Sequence, residues 1–333
     1  MNGASSELGS LVRRAVDARS EFVSNLARES TDCWRVFHGS SEGRPGLTID
    51  RYGELVLVQT FREPLADSEV DEIERTLGAR IVWNHRGKSA RQTFAEFAPD
   101  DEWSTREFVV REHGVRFPIR ARHRGIDPWL FLDMRAGRRA IAAVCRGRSV
   151  LNLFAYTGSA SITALVHGAR SACNVDFARS SADVATRSEE LNSLVPGQLE
   201  TIIEDFFPVA RQFAGLPVKG RASARPYVKL EKRSFDVILL DPPAFSRGAF
   251  GAVDVVRDYP SLVKPALLAL SENGVLIATN HVAGVSREDW RETLERSAVK
   301  CGRSLASLEF VEPDADFQSF DGRPPLKIAV MRV

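Results

Sequence analysis

The residues best able to do chemistry in this chain fall in short segments where an apolar run stops at a glycine, a proline or a carboxylate. The first is Asn152-Leu-Phe154-Ala-Tyr156-Thr157-Gly158-Ser-Ala-Ser161. It follows a strand-like run and opens a helical pattern, and it lacks the full G-x-G-x-x-G of a dinucleotide site. One close-approach glycine suits a smaller ligand, such as the methionine part of S-adenosylmethionine, although an ordinary strand-to-helix turn reads the same way. Asp176-Phe177 ends the next strand, eighteen residues after Gly158. A carboxylate there can accept both hydroxyls of a ribose, and it can also cap the helix that follows. Asp205 ends the third strand and could face an adenine amino group or serve as a cap or turn residue.

Asp241-Pro-Pro-Ala-Phe245 is the most specific of these segments. Two prolines cannot continue a central strand, so they force a rigid turn at its carboxyl end. A carboxylate and a nearby aromatic then project together, able to bond the edge of a flat heterocycle and stack on its face. Thr279-Asn280-His281 closes the fifth strand, where Asn280 could contact a base. His281 could titrate near neutral pH or fill a turn, and it is not read as a general base.

The elements that must position these residues alternate. Strand patterns at 150–154, 172–177, 199–203, 235–240 and 275–279 are separated by helical patterns at 159–167, 178–193, 254–270 and 286–301. Such alternation predicts βαβ units and a doubly wound, mostly parallel sheet, with ligands at the carboxyl ends of its strands. Ahead of it, residues 1–30 carry helical spacing. Residues 31–122 mix short β-rich runs, punctuated by Gly39, Gly43, Pro45, Gly46 and Gly53, with a helix at 68–77, as a small α+β domain does. Residues 123–333 form the larger domain. The basic segment AGLPVKGRASARPYVKLEKR (214–233) interrupts the alternation, either as a solvated loop or as an arm that contacts phosphates.

Composition is that of a soluble globular protein, 44% hydrophobic and 27% charged, with a net charge of +1. Any nucleic-acid partner must therefore be held by a local basic patch rather than by overall charge. Cys33, Cys145, Cys173 and Cys301 are far apart and form no Cys-x-x-Cys pair, so neither a zinc site nor a disulfide framework is expected. No apolar run is long enough to span a bilayer and the N-terminus has no signal-peptide core, so a cytosolic location is expected.

Taken together, NLFAYTGSAS, VDF and DPPAFS, with FLDMR (131–135) upstream, resemble the class I methyltransferases of large-subunit ribosomal RNA. The resemblance continues through GSSEGRPGLTIDRYGELVLVQ and covers the chain from about residue 33 to the end. It implies a Rossmann-like catalytic domain behind a small α+β domain, S-adenosylmethionine as cofactor and an RNA base as substrate. One branch of the family methylates cytosine at carbon 5 with a cysteine placed after the fifth strand. Here that position reads TNH, and carbon 5 needs a thiolate to attack the ring first. That branch usually carries an additional N-terminal RNA-binding module, which is not expected here. The other branch methylates guanine at N7, and AYTGSAS, DPPAFS followed by VDVVRDY (253–259), and Asn280 are closer to it. N7 has a free lone pair, so positioning supplies most of the rate.

The resemblance assigns the cofactor to Asn152, Phe154, Tyr156, Thr157, Gly158, Asp176, Phe177, Asp205 and Asp241, and the base to Asp241, Phe245 and Asn280. Asp133 and Arg135 are carried over from FLDMR, with Arg135 pairing the cofactor carboxylate, or else with Asp133 as a helix cap. Methylation of an exocyclic amine, and a non-catalytic RNA-binding protein on the same fold, are the competing readings.

Overall fold

The helical spacing at the N-terminus resolves into two helices, α1 (Glu7–Ala18) and α2 (Ser20–Arg28), separated at Arg19. Arg19 is buried, and its guanidinium binds the carbonyl of Ala15 and the carboxylate of Glu42. The computed structural model describes residues 7–87, 101–123, 127–218, 226–248 and 250–333. These divide into two compact units, 1–133 with 314–322, and 134–313 with 323–333. The sequence pattern changes at 122, whereas the contacts change at 133.

In the first unit, β1 (Cys33–Phe37), β2 (Leu47–Tyr52), β3 (Leu55–Thr60) and β4 (Ile81–His85) form a sheet in that order. The first three are antiparallel; β3 and β4 are parallel and therefore need the crossover supplied by α3 (Asp67–Leu77). Val12, Phe37, Ile49, Val58 and Ile73 pack into one core. A short helix, α4 (Glu102–Thr105), precedes the hairpin β5 (Phe108–Glu112) and β6 (Val115–Ile119).

A buried polar cluster crosses this sheet. Arg35 grips both carboxylate oxygens of Asp50 at 2.8 and 2.9 Å and lies 4.6 Å over the ring of Phe317. The Arg35 N–H also donates to Asp316 at 2.9 Å. These contacts tie residues 314–322 to a strand far away in sequence, which no local pattern can show. A second Arg35 N–H donates to Nδ1 of His38 at 3.0 Å, so that ring is neutral with its proton on Nε2. Burial and the Arg35 charge push the His38 pKa down from 6.5 to about 4. The unfolded chain then binds more protons than the folded one across that window, so stability falls on acidification. Thermal melts should show a falling midpoint as pH drops from 6.5 to about 4, with a shallower slope in His38→Leu. Equal slopes in the two proteins would remove His38 from this account.

The second unit alternates as the sequence predicts. It runs α5 (Arg135–Val144), β7 (Ser149–Leu153), α6 (Ser159–Val166), β8 (Ser171–Asp176), α7 (Arg179–Leu191), β9 (Leu199–Ile203) and α8 (Phe206–Phe213). Then come β10 (Phe235–Leu240), a hairpin of β11 (Phe245–Arg247) and β12 (Ala252–Asp254), α9 (Tyr259–Ala269), β13 (Leu270–Asn280) and α10 (Arg287–Lys300). The chain ends with β14 (Ser307–Val311) and β15 (Lys327–Arg332). The sheet order is β14-β15-β13-β10-β7-β8-β9, parallel from β9 to β13 and antiparallel at β15. This is the expected Rossmann-like α/β fold with a largely parallel sheet.

Chain direction across the sheet reverses between β7 and β10, and the crevice belongs at such a switch point. Leu151, Ile238 and Leu276 pack into one core layer, while Val150, Val237 and Ile277 pack into the other. Among the described residues, no helix is long and apolar enough to cross a membrane.

Candidate active site

The turn after β7 is held in an unusual backbone conformation. Phe154 (φ 60°), Tyr156 (φ 49°) and Gly158 (φ 73°) are all left-handed. Non-glycine residues adopt that region at a cost and keep it only where neighbours over-determine it. Asp176, at the end of β8, is that neighbour. One of its oxygens accepts the Tyr156 N–H at 2.8 Å and the other the Ala178 N–H at 2.9 Å. A single carboxylate therefore fixes the loops after two adjacent strands. Beneath Gly158 lies Asn174, whose Oδ1 accepts from Asn152 at 3.1 Å and from Ser161 at 2.7 Å. A Cβ on Gly158 would come within 2.5 Å of the Asn174 amide nitrogen, so only glycine fits. Asn152 is buried inside the sheet and acts on the turn through Asn174.

Beside this turn is a pocket of about 350 Å³ lined by Phe154, Asp176, Phe177, Asp205, Phe206 and Phe207. Phe154 and Phe206 stack with centroids 4.6 Å apart and planes within 20°. Asp205 caps α8 by accepting the Phe207 N–H at 2.9 Å and lines the same pocket. Gly248 of the β11–β12 hairpin packs directly on the other Asp205 oxygen, and Gly251 on the ring of Phe207. The hairpin thus walls one side of the pocket. Phe177 is 73% exposed at its mouth. Burial raises the pKa of Asp176 and of Asp205 above 3.8, with the backbone hydrogen bonds opposing.

Asp241 stands at the end of β10, across the switch point. The Thr279 hydroxyl donates to its Oδ1, and His281 Nε2 lies 2.8 Å from the same oxygen. Burial resists ionisation here, but His281, Thr279 and the nearby charge of Arg138 prevail and hold the carboxyl below 3.8. Asn280 does not join this group. Side chains alternate along β13, with Leu276 and Ala278 in one core layer and Val275 and Ile277 in the other. Thr279 therefore shares a face with Asp241, while Asn280 is fully buried on the opposite face, where its Oδ1 accepts the Val282 N–H at 2.9 Å. Phe245 is 55% exposed on the hairpin, with the Arg247 guanidinium 5.5 Å from its ring, and does not line the pocket.

A family described as S-adenosylmethionine-dependent methyltransferase matches residues 34–332. The chain belongs to this family. Among its relatives, the ribosomal RNA large subunit methyltransferase I of Aeromonas hydrophila is 26% identical over 321 residues, spanning 93% of this chain and 76% of its own. The enzyme of the same name from Shigella dysenteriae is 24% identical over 296 residues, spanning 87% and 70%. The crystal structure of SMU.776 complexed with SAH is similar in fold, with a TM-score of 0.79 at 24% identity over 98% of this chain and 81% of that one.

The cofactor of this methyltransferase family is S-adenosylmethionine, and the residues present fit it. The pocket walled by Phe154, Phe177 and Phe207 offers aromatic surface to a flat adenine, and Asp176 retains acceptor capacity for ribose hydroxyls. Asp133 lies in a short turn of the first unit, where its charge acts on Arg35 and Tyr52. It does not cap α5, whose cap position is Met134. Arg135 is fully buried on α5. Thr157 is buried and Tyr156 half-buried in the turn.

Thr279, His281, Arg138, Asn174 and Phe206 were not assigned from sequence. Their type at a strand end or helix face was visible, but the partner across the sheet was not. Part of the basic 214–233 segment, residues 219–225, lies outside the described residues. Of its remainder, Arg233 pairs with Glu200 and Lys229 lies 3.9 Å from the Tyr227 ring centroid.

Calorimetry should show Asp176→Ala weakening cofactor affinity by about a hundredfold, the scale of two lost charge-assisted bonds. Gly158→Ala should weaken it by about tenfold or more, given a left-handed backbone and no room for Cβ. Ribose donors favour ionised Asp176, so wild-type affinity should fall as pH drops through a midpoint above 3.8, and Asp176→Ala should lose that dependence. Unchanged affinity in both variants would remove the cofactor from this turn.

Proposed function

We propose that the chain is an S-adenosylmethionine-dependent methyltransferase of a base in large-subunit ribosomal RNA, acting on guanine N7. The curated relatives named for this RNA support the substrate class. One observation carries the choice of atom: none of the four thiols stands at the carboxyl end of a strand of the parallel sheet. Cys33 is buried in β1 of the first unit, and Cys145 is buried with its thiol 3.4 Å from the carbonyl of Ala164. Cys173 lies inside β8, where burial pushes its thiol up to about 12. Cys301 follows α10, and burial raises its pKa as well. Attack on a ring carbon needs an accessible thiolate, whereas a ring nitrogen with its own lone pair does not.

The bound cofactor supplies a sulfonium methyl group. The chain's residues bind and orient. Asp176 and Asp205 would take the ribose and adenine, with the Gly158 turn on the methionine moiety. Asp241, held ionised, accepts hydrogen bonds only, and would receive the N–H donors of a guanine edge. Phe245 is exposed and would stack on the extruded base. Catalysis by alignment then accounts for a site without a free nucleophile. The same Asp241 would also accept the hydrogen of an exocyclic amine, which is the second reading.

Mass spectrometry of nucleosides from large-subunit RNA of cells with and without the gene distinguishes them. Loss of one 7-methylguanosine in the deletion strain is the expected result. Loss of a methylated exocyclic amine would select the second reading, and loss of 5-methylcytidine would overturn both.

A further inference from the structure

We propose that His281 and Thr279 are positioning residues that fix one oxygen of the Asp241 carboxylate and turn the other toward the target base. The inference rests on the reading of Asp241 as the base contact and adds the mechanism that orients it. Both hydrogen bonds to the Asp241 carboxylate fall on Oδ1, from the Thr279 hydroxyl and from His281 Nε2 at 2.8 Å. Among the described residues Oδ2 has no hydrogen-bond partner, so the carboxylate keeps one oxygen with full acceptor capacity. A carboxylate only accepts, so the imidazole must carry its proton on Nε2.

The two donors are themselves anchored. The Thr279 carbonyl receives the hydroxyl of buried Tyr259 at 2.9 Å. His281 sits in a turn pinned from both sides: Asn280 Oδ1 accepts the Val282 N–H, and Lys327 Nζ donates to the Val282 carbonyl at 2.8 Å and to that of Pro325 at 3.0 Å. Lys327 reaches this turn because β15 pairs with β13, Asn280 opposite Lys327. The charge of Arg138 on α5 also favours the ionised Asp241. A carboxylate free to rotate would offer either oxygen in many directions. This one is held by one donor at the end of a strand and one in the pinned turn that follows it, as a site that works by alignment requires.

His281→Leu and Thr279→Val remove one donor each at similar size, and His281→Gln restores an N–H near the Nε2 position. Each protein is compared with wild type for thermal midpoint, for cofactor affinity by calorimetry, and for methyl transfer to protein-free large-subunit RNA from cells lacking the gene. The Leu and Val variants should keep cofactor affinity and lose about tenfold to a hundredfold in kcat, the scale of one bond to a charged group, and the Gln variant should recover most of it. A kcat within about twofold of wild type in both the Leu and Val variants, or no recovery with Gln, overturns the proposal; lowered stability in one variant leaves the other decisive.

Wild-type protein that methylates no RNA would count against the proposed function instead. The imidazole nitrogen NMR shifts of His281 then decide the lock on their own. A change on Asp241→Asn supports it, and the absence of change overturns it.

Discussion

One carboxylate holds the catalytic end of this sheet together. Asp176 spends an oxygen on each of two loops, the left-handed turn after β7 and the start of α7 after β8. Without that bridge the left-handed residues Phe154 and Tyr156 would have no reason to stay in a region that costs each of them of the order of a kilocalorie per mole. The remaining lone pairs of the same group are what a ribose can use. The same side chain that fixes these loops lines the pocket where β7 and β8 end.

Two carboxylates flank the switch point. Asp176 lies on one side, in a half-buried site where burial disfavours its charge and backbone N–H groups compensate. Asp241 lies on the other, where a histidine, a threonine and an arginine charge overcome burial and keep it ionised. The first is suited to uncharged hydroxyl donors. The second, as the proposed base contact, would accept the N–H edge of the base and stabilise the positive charge that methyl transfer moves from the sulfonium onto it, at no cost in reorganisation.

Much of this was legible in the sequence, because strand, turn and helix in a βαβ unit are contiguous. The strand at 199–203 and that at 235–240 coincide with β9 and β10, Asp176 and Asp241 stand at strand ends, and Gly158 lies in the turn between β7 and α6. What was illegible needs partners from elsewhere in the sheet. Asn280 looked like the base contact because it follows the fifth strand, but the pleat turns it to the opposite face and gives Asp241 its neighbours Thr279 and His281. The β11–β12 hairpin was hidden because three-residue strands carry no periodicity, yet its glycines pack on Asp205 and Phe207. Residues 314–322 joined the first unit through Asp316 and Phe317, bonded to a strand near the other end of the chain.

The most direct test of the central claim is a crystal structure of the chain grown with S-adenosylhomocysteine. The account predicts the ribose against Asp176, the adenine in the pocket lined by Phe154, Phe177, Asp205 and Phe207, and the amino-acid end over Gly158. Product bound elsewhere, or that pocket filled by the β11–β12 hairpin with the product absent, would contradict it.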